Sequence, residues 1–199
     1  MSNLKKLCLF LTYGQSLGTW DKNGTLLREL DIYKNLLEQK KTTLTIISYS
    51  KKNELHLLNS FESKNIKIIY NKYKLPNILF PFSLLIFNFT SFTKINIFKS
   101  NQEHGAIFPL IFSKLFFGKF IFRSGFSLRH HIKKKYSIFS IQYLYSLINN
   151  FLCCLFSSNI VITSKNYVEF YFFERKISEI PNYIPSYFSK LKLTQKNKK

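Results

Sequence analysis

The stretch Leu7–Leu37, LCLFLTYGQSLGTWDKNGTLLRELDIYKNLL, constrains the fold more than any other part of the chain. An apolar run gives way to a loop with three glycines, and the loop to a helical pattern. Leu7, Leu9, Phe10 and Leu11 are nearly continuous, as in a strand buried on both faces of a parallel sheet. Gly14, Gly18 and Gly24 allow tight or positive-φ backbone that other residues resist. From Leu26 onward Leu26, Leu27, Leu30, Tyr33, Leu36 and Leu37 recur at helical spacing, with Arg28, Glu29, Asp31, Lys34 and Glu38 between them. A loop leaving the carboxyl end of a strand, beside a helix N-terminus, is where α/β proteins place ligands, anions above all.

The rest of the chain repeats the alternation. Thr42–Tyr49, Ile66–Tyr70, Ile95–Phe98, Lys119–Phe122 and Asn159–Thr163 read as five further strands. Helices are predicted at Asn53–Ser63, at Phe82–Phe92, at Ile138–Phe156 and from Ser164 to about Arg175. Ser100 or Asn101 can cap a further helix, with Glu103 or His104 in its first turn and Pro109 near its start. Strand and helix in turn are the βαβ rhythm of a parallel sheet, so the predicted fold class is α/β. Residues 1–189 are predicted to form one domain; 190–199, lysine-rich and without an acid, read as a disordered tail.

The formal net charge is +20, carried almost wholly by lysine, with Arg only at 28, 123, 129 and 175. A nucleic-acid reader would be expected to use more Arg, whose rigid fork suits phosphate and base edges, so nucleic acid is a disfavoured partner. The charge favours phosphates, sugar diphosphates or an anionic membrane face. Cys8 and the adjacent pair Cys153–Cys154 form no metal-ligand spacing, and a reducing compartment is the simple reading. The apolar run after Lys5–Lys6 is too short for an export signal. Leu75–Thr93 and Ile138–Phe156 are uncharged and close to a membrane span in length, but Pro76, Pro81, Asn77, Asn88, Gln142, Asn149 and Asn150 interrupt them. They fit buried or interfacial helices at least as well.

Four segments together resemble the N-terminal domain of retaining bacterial glycosyltransferases with two Rossmann-like domains, the GT-B, family 4-like enzymes of capsule and lipopolysaccharide synthesis. They are Gly14–Leu36 (GQSLGTWDKNGTLLRELDIYKNL), Lys99–Ala106 (KSNQEHGA, like T-N-Q-x-x-G-A), Arg123–Leu128 (RSGFSL, like R-x-G-Y-S), and Val161–Ser164 (VITS) followed by IPNYI at Ile180–Ile184. The resemblance implies a Rossmann-like, mostly parallel sheet with helices on both faces, equivalent to the N-terminal half of a GT-B enzyme. The implied activity is transfer of a sugar from a nucleotide sugar, with no tightly bound cofactor, to a lipid-linked or polysaccharide acceptor. It would take place in the cytoplasm, at the inner face of the cell membrane. In that family IPN is followed by V-D and then F; here Pro185 stands for the aspartate and Phe188 keeps its place. By this resemblance the second domain, with its pair of glutamates, is expected to be missing from the chain. The expectation is a chain incomplete without a separate C-terminal, donor-binding half, or else a non-catalytic binding remnant of such an enzyme.

Within this frame the loop Gly14, Gln15, Ser16, Gly18 and Thr19 is expected to line a cleft, its amides near a diphosphate or acceptor, with a packed tight turn as the alternative. Trp20 can stack on a sugar or anchor packing. Arg28 and Glu29 are either beside an anion or a surface pair. Asn101 and Gln102, each donor and acceptor, suit paired sugar hydroxyls. His104 or Glu103 would orient or deprotonate an acceptor hydroxyl, helix capping being the alternative. Arg123 and Gly125 are expected at an anionic group, since Arg gives bidentate contact with phosphate; a surface salt bridge is the other reading. Arg129, Lys133, Lys134 and Lys135, with His130 and His131, form a positive run suited to anionic lipid heads or a lipid diphosphate, or simply a solvated loop. No metal site is expected.

Overall fold

A computed structural model describes residues 5–38, 42–61, 65–173 and 176–181. Its strands are β1 (Lys5–Phe10), β2 (Thr42–Ser48), β3 (Ile66–Tyr70), β4 (Ile97–Ser100), β5 (Lys119–Ser124), β6 (Asn159–Ile162) and β7 (Ile177–Glu179). They form one seven-stranded sheet in the order β3-β2-β1-β4-β5-β6-β7, every pair parallel. The sequence predicts six of these. The seventh, only three residues long and mostly exposed, has no apolar run to announce it and is defined by pairing Ile177 with Ile160.

The helices are α1 (Leu17–Lys22), α2 (Leu26–Glu38), α3 (Phe80–Phe87), α4 (Phe89–Phe92), α5 (Ile107–Leu115), α6 (Leu128–Lys135) and α7 (Ile141–Phe156); two short 3-10 helices cover Leu55–Phe61 and Lys165–Phe170. The alternation within β1 assigns the two layers. Leu7 and Leu9, with Leu11 just beyond the strand, pack with Leu26, Leu30, Tyr33 and Leu37 of α2. Cys8 and Phe10 point the other way, to Phe80 and Leu84 of α3 and Phe108 and Phe112 of α5. Phe120 and Phe122 of β5 continue that second layer against Cys153 and Cys154 of α7. Both faces of the sheet are therefore covered, which is why its strands read as unbroken apolar runs.

Several local expectations change. The predicted helix Phe82–Phe92 is two helices, α3 starting earlier with Pro81 in its first turn and α4 following a break at Asn88. Neither Ser100 nor Asn101 caps α5: Ser100 ends β4, and α5 starts after Ala106 with no side-chain cap. The basic run after Gly125 is a helix, α6, because Ser127 Oγ accepts from His130 N at 3.2 Å and starts it. Part of the glycine loop is helical too: Ser16 caps α1 by accepting from Thr19 N at 3.1 Å. The tail 190–199, Pro185, Phe188 and most of IPNYI lie outside the described residues. No helix among the described residues is long and apolar enough to cross a membrane.

Candidate functional site

The strand order reverses between β1 and β4, since β1 has β2 on one side and β4 on the other. In parallel sheets the crevice beyond such a switch, at the carboxyl ends of the strands, is where ligands bind. The loops after β1, β4 and β5 meet there, and they carry the residues singled out in the sequence.

The loops are bonded to one another. Tyr13 N donates to His104 O at 3.1 Å, and Asn101 Nδ2 reaches Thr12 Oγ1 at 3.4 Å. Gly105 has φ +88°, and a Cβ there would lie 2.9 Å from Tyr13 Cβ, so only glycine lets the β4 loop touch the β1 loop. Gly125 N donates to Gln102 Oε1 at 2.7 Å, joining β5 to β4, and Thr163 Oγ1 donates to Gly125 O at 2.7 Å, joining β6 to β5. Gln102 and Gly125 are thus brought together, and part of what Gln102 offers is used within the rim.

The glycine loop ends on an internal anion. Glu54, buried, accepts from Gly18 N at 2.8 Å, Leu17 N at 3.1 Å and Ser48 Oγ at 2.8 Å. At Leu17 and Gly18 the amides therefore face this carboxylate, where the sequence led us to expect a diphosphate or acceptor. A Cβ on Gly18 would sit 2.8 Å from Glu54 Oε1, which explains the glycine. Sequence reading missed Glu54, which sits in the polar run KKNEL; the signal was Ser48, a hydroxyl closing an apolar strand. Gly14 is exposed at the loop's tip with φ +75°, and Gln15, Ser16 and Thr19 are half-buried beside it. Trp20 is buried in the α1–α2 layer as a packing anchor.

Arg123 is 7% exposed. Its Nη1 donates to Glu29 Oε2 at 3.2 Å, Asn101 O at 3.0 Å and Asn101 Oδ1 at 2.9 Å. The salt-bridge alternative is the arrangement present, buried where the sequence suggested a surface pair. Glu29 also holds Arg28 Nη2 at 2.8 Å, so α2 and β5 meet at one carboxylate, and Arg123 ties in the loop after β4 through Asn101. Asn101 is buried in this junction and turned to Arg123 and Thr12.

Glu103 and His104 separate in role. Glu103, 1% exposed, accepts from Leu128 N at 2.7 Å and from Asn150 Nδ2 at 3.0 Å, while its carbonyl accepts from Asn149 Nδ2 at 3.1 Å. It caps α6 and ties it to α7. Burial pushes its carboxyl up to about 7, opposed by the bonds from Asn150 and Leu128 and by nearby Arg129. His104 is half-buried, its ring 5.1 Å from that of Tyr13, and burial lowers its pKa, so the imidazole is neutral at neutral pH. Of the two, His104 is the one open to the crevice. Arg129 is half-buried on α6, 5.5 Å over the Phe172 ring, and Lys133 and Lys135 are exposed; Lys134 lies in the same helix. Among the described residues no group of His, Cys, Asp and Glu is placed to hold a metal.

No family model and no curated protein matches the chain. Solved structures do. HepE of Anabaena in complex with UDP is 15% identical, with TM-score 0.59, covering 96% of this chain and 50% of its own. Arabidopsis thaliana UGT89C1 with UDP-L-rhamnose is 13% identical, with TM-score 0.57, covering 94% and 50%. The lipopolysaccharide outer core galactosyltransferase WaaB is 14% identical, with TM-score 0.51, covering 90% and 46%. The fold is that of half a GT-B glycosyltransferase. The chain spans about half the length of the structures it matches.

Proposed function

We propose that this chain is the acceptor-side domain of a glycosyltransferase that moves a sugar from a nucleotide sugar to a lipid-linked or polysaccharide acceptor. A second, donor-binding half completes the cleft. The observation that carries the reading is the convergence, at the switch point of a sheet with this fold, of three loops bearing GQSLGT, NQEHGA and RSGFS. On this reading the open side of the cleft, with Gly14, Gln15, Ser16, Thr19 and His104, meets the acceptor. The neutral imidazole of His104 orients a hydroxyl, and the nucleotide sugar is a substrate held mainly by the other half. Glu103, Arg123, Asn101 and Gln102 hold the loops in shape, and the work takes place at the inner face of the cell membrane.

The test is transfer from a panel of radiolabelled nucleotide sugars to membrane extract, with this chain alone and with a candidate second half added. Product is expected only from the pair and is expected to fall about a hundredfold with His104→Ala, the span of a positioned polar group. Turnover by the 199-residue chain alone would overturn the need for a second half. A non-catalytic binding module is the second reading, favoured by the internal bonding of Glu103 and Arg123; it expects glycolipid binding without turnover in any pairing.

A further inference from the structure

Helix α7 is built inside out. Ser146, Asn149, Asn150, Cys153 and Cys154 face the core, each at most 2% exposed. The outward stripe is Ile141, Leu144, Tyr145, Ile148, Phe151 and Leu155, with Ile141 83% and Ile148 50% exposed. The helix has no charged residue, and just before it Phe139 is 91% exposed. Its neighbours in the same layer continue the pattern: α5 exposes Ile111 and Leu115, and α3 exposes Phe82 and Ile86. Phe82 meets Phe108 of α5 at 6.0 Å, and Lys114 of α5 lies 4.8 Å over the Phe156 ring of α7, so the three helices lie side by side.

The helices of this flank carry no acid, and the stretch of chain that holds them is strongly basic. Between Glu62 and Glu169 the sequence holds fourteen Lys and Arg and a single acid, Glu103, which is buried. Lys133 and Lys135 of α6, which packs against α7, lie exposed on its border. A second copy of a chain with net charge +20 is a poor occupant, because like charges would oppose the contact. A partner closing the cleft approaches the carboxyl ends of the strands, whereas this face lies on the side of the sheet. An apolar stripe bordered by lysines and free of acids is complementary to an anionic bilayer, with acyl chains for the stripe and lipid phosphates for the amines.

We propose that the α3–α5–α7 flank docks on an anionic lipid bilayer, with α7 lying in the plane of the interface and the α6 lysines on lipid phosphates. This deepens the lipid-linked acceptor reading by naming the surface that meets the membrane, and it rests on that reading only for its purpose.

The experiment is co-sedimentation of the full chain with vesicles of phosphatidylethanolamine and phosphatidylglycerol, and with vesicles of phosphatidylcholine. Binding is expected to be at least about tenfold tighter to the anionic vesicles and to weaken with salt. Replacing two outward residues, Leu144→Glu with Ile148→Glu, is expected to weaken it about tenfold or more with an unchanged circular dichroism spectrum. Lys133→Gln is expected to cost up to roughly fivefold. Phe139→Trp adds an exposed indole to a protein whose one native tryptophan is buried, and its emission is expected to shift to the blue on anionic vesicles. Undiminished binding by the Leu144→Glu/Ile148→Glu variant, equal binding to both vesicle types, or an unshifted indole would each overturn the proposal. So would a dimer abolished by those substitutions in a chain that ignores vesicles. Vesicle binding by the chain, with no sugar transfer even when a second half is added, supports docking and counts against the catalytic reading. Transfer to a water-soluble acceptor without vesicle binding does the reverse.

Discussion

Helices α2 and α7 cover opposite faces of one sheet, and their inward sides differ in polarity. Helix α2 turns Leu26, Leu30, Tyr33 and Leu37 inward and leaves Arg28, Asp31 and Lys34 at least partly open to water. Helix α7 turns its amides and thiols inward and its Leu, Ile and Phe outward. Each flank also holds a buried carboxylate, and the partners differ. Glu29 meets guanidinium groups of Arg123 and Arg28. Glu103 is held by amides, the backbone of Leu128 and the side chain of Asn150. A carboxylate matched by a cation from the sheet leaves the inward side of its helix free to be apolar. One that draws on amides enlists the helix beside it, and the stripe supplying Asn149 and Asn150 must point inward.

The sharpest way to break this comparison is on the α2 side. Arg123→Ala leaves Glu29 in its buried site with only Arg28, and a loss of about 4 kcal/mol in urea unfolding is expected. A loss under about 1 kcal/mol would mean that the ion pair is not what joins α2 to β5.

The next effect is pH-dependent. The folded Glu103 carboxyl titrates near 7 and the unfolded one near 4.5, so the unfolded state releases this proton first as pH rises. Its contribution to stability therefore falls between those values and is level above them. Against Glu103→Gln, the wild type is expected to lose roughly 3 kcal/mol across that window, read from urea unfolding at each pH. A gap that does not change with pH would show Glu103 titrating normally.

Two smaller substitutions test polarity itself. Asn150→Leu makes the buried side of α7 more apolar, yet it strands Glu103 Oε1 and is expected to cost about 2 kcal/mol. Leu144→Gln makes the outer side more polar and is expected to change stability by less than about 0.5 kcal/mol. The opposite ranking in thermal unfolding would return α7 to ordinary amphipathicity.

The parallel sheet was legible because its strands are apolar on both sides: Leu9 and Phe10 face different layers, and the sequence shows both. The three loops were legible too, as polar segments after strands that together resemble one family, but their bonding to one another was not. The partners of the site residues were not. Glu54 reaches Gly18 across thirty-six residues and Arg123 reaches Glu29 across ninety-four, and no local pattern encodes such pairs. Helix α6 read as a loop because its lysines repel one another and its capping serine, Ser127, follows a glycine by only two residues. For α7 the apolar content foretold a helix, while the direction of its apolar side depended on Glu103, remote in sequence and modest in propensity.

The outward polarity of α7 also governs how the molecule behaves in bulk water. Two such flanks attract at short range through apolar surface and repel at longer range through a charge of +20 on each chain. The reach of that repulsion is a Debye length of about 10 Å in 0.1 M salt and about 3 Å in 1 M. Dispersed at low ionic strength, the chain is therefore a charge-stabilised colloid, and added salt, by shortening the barrier, brings the sticky faces within range of each other.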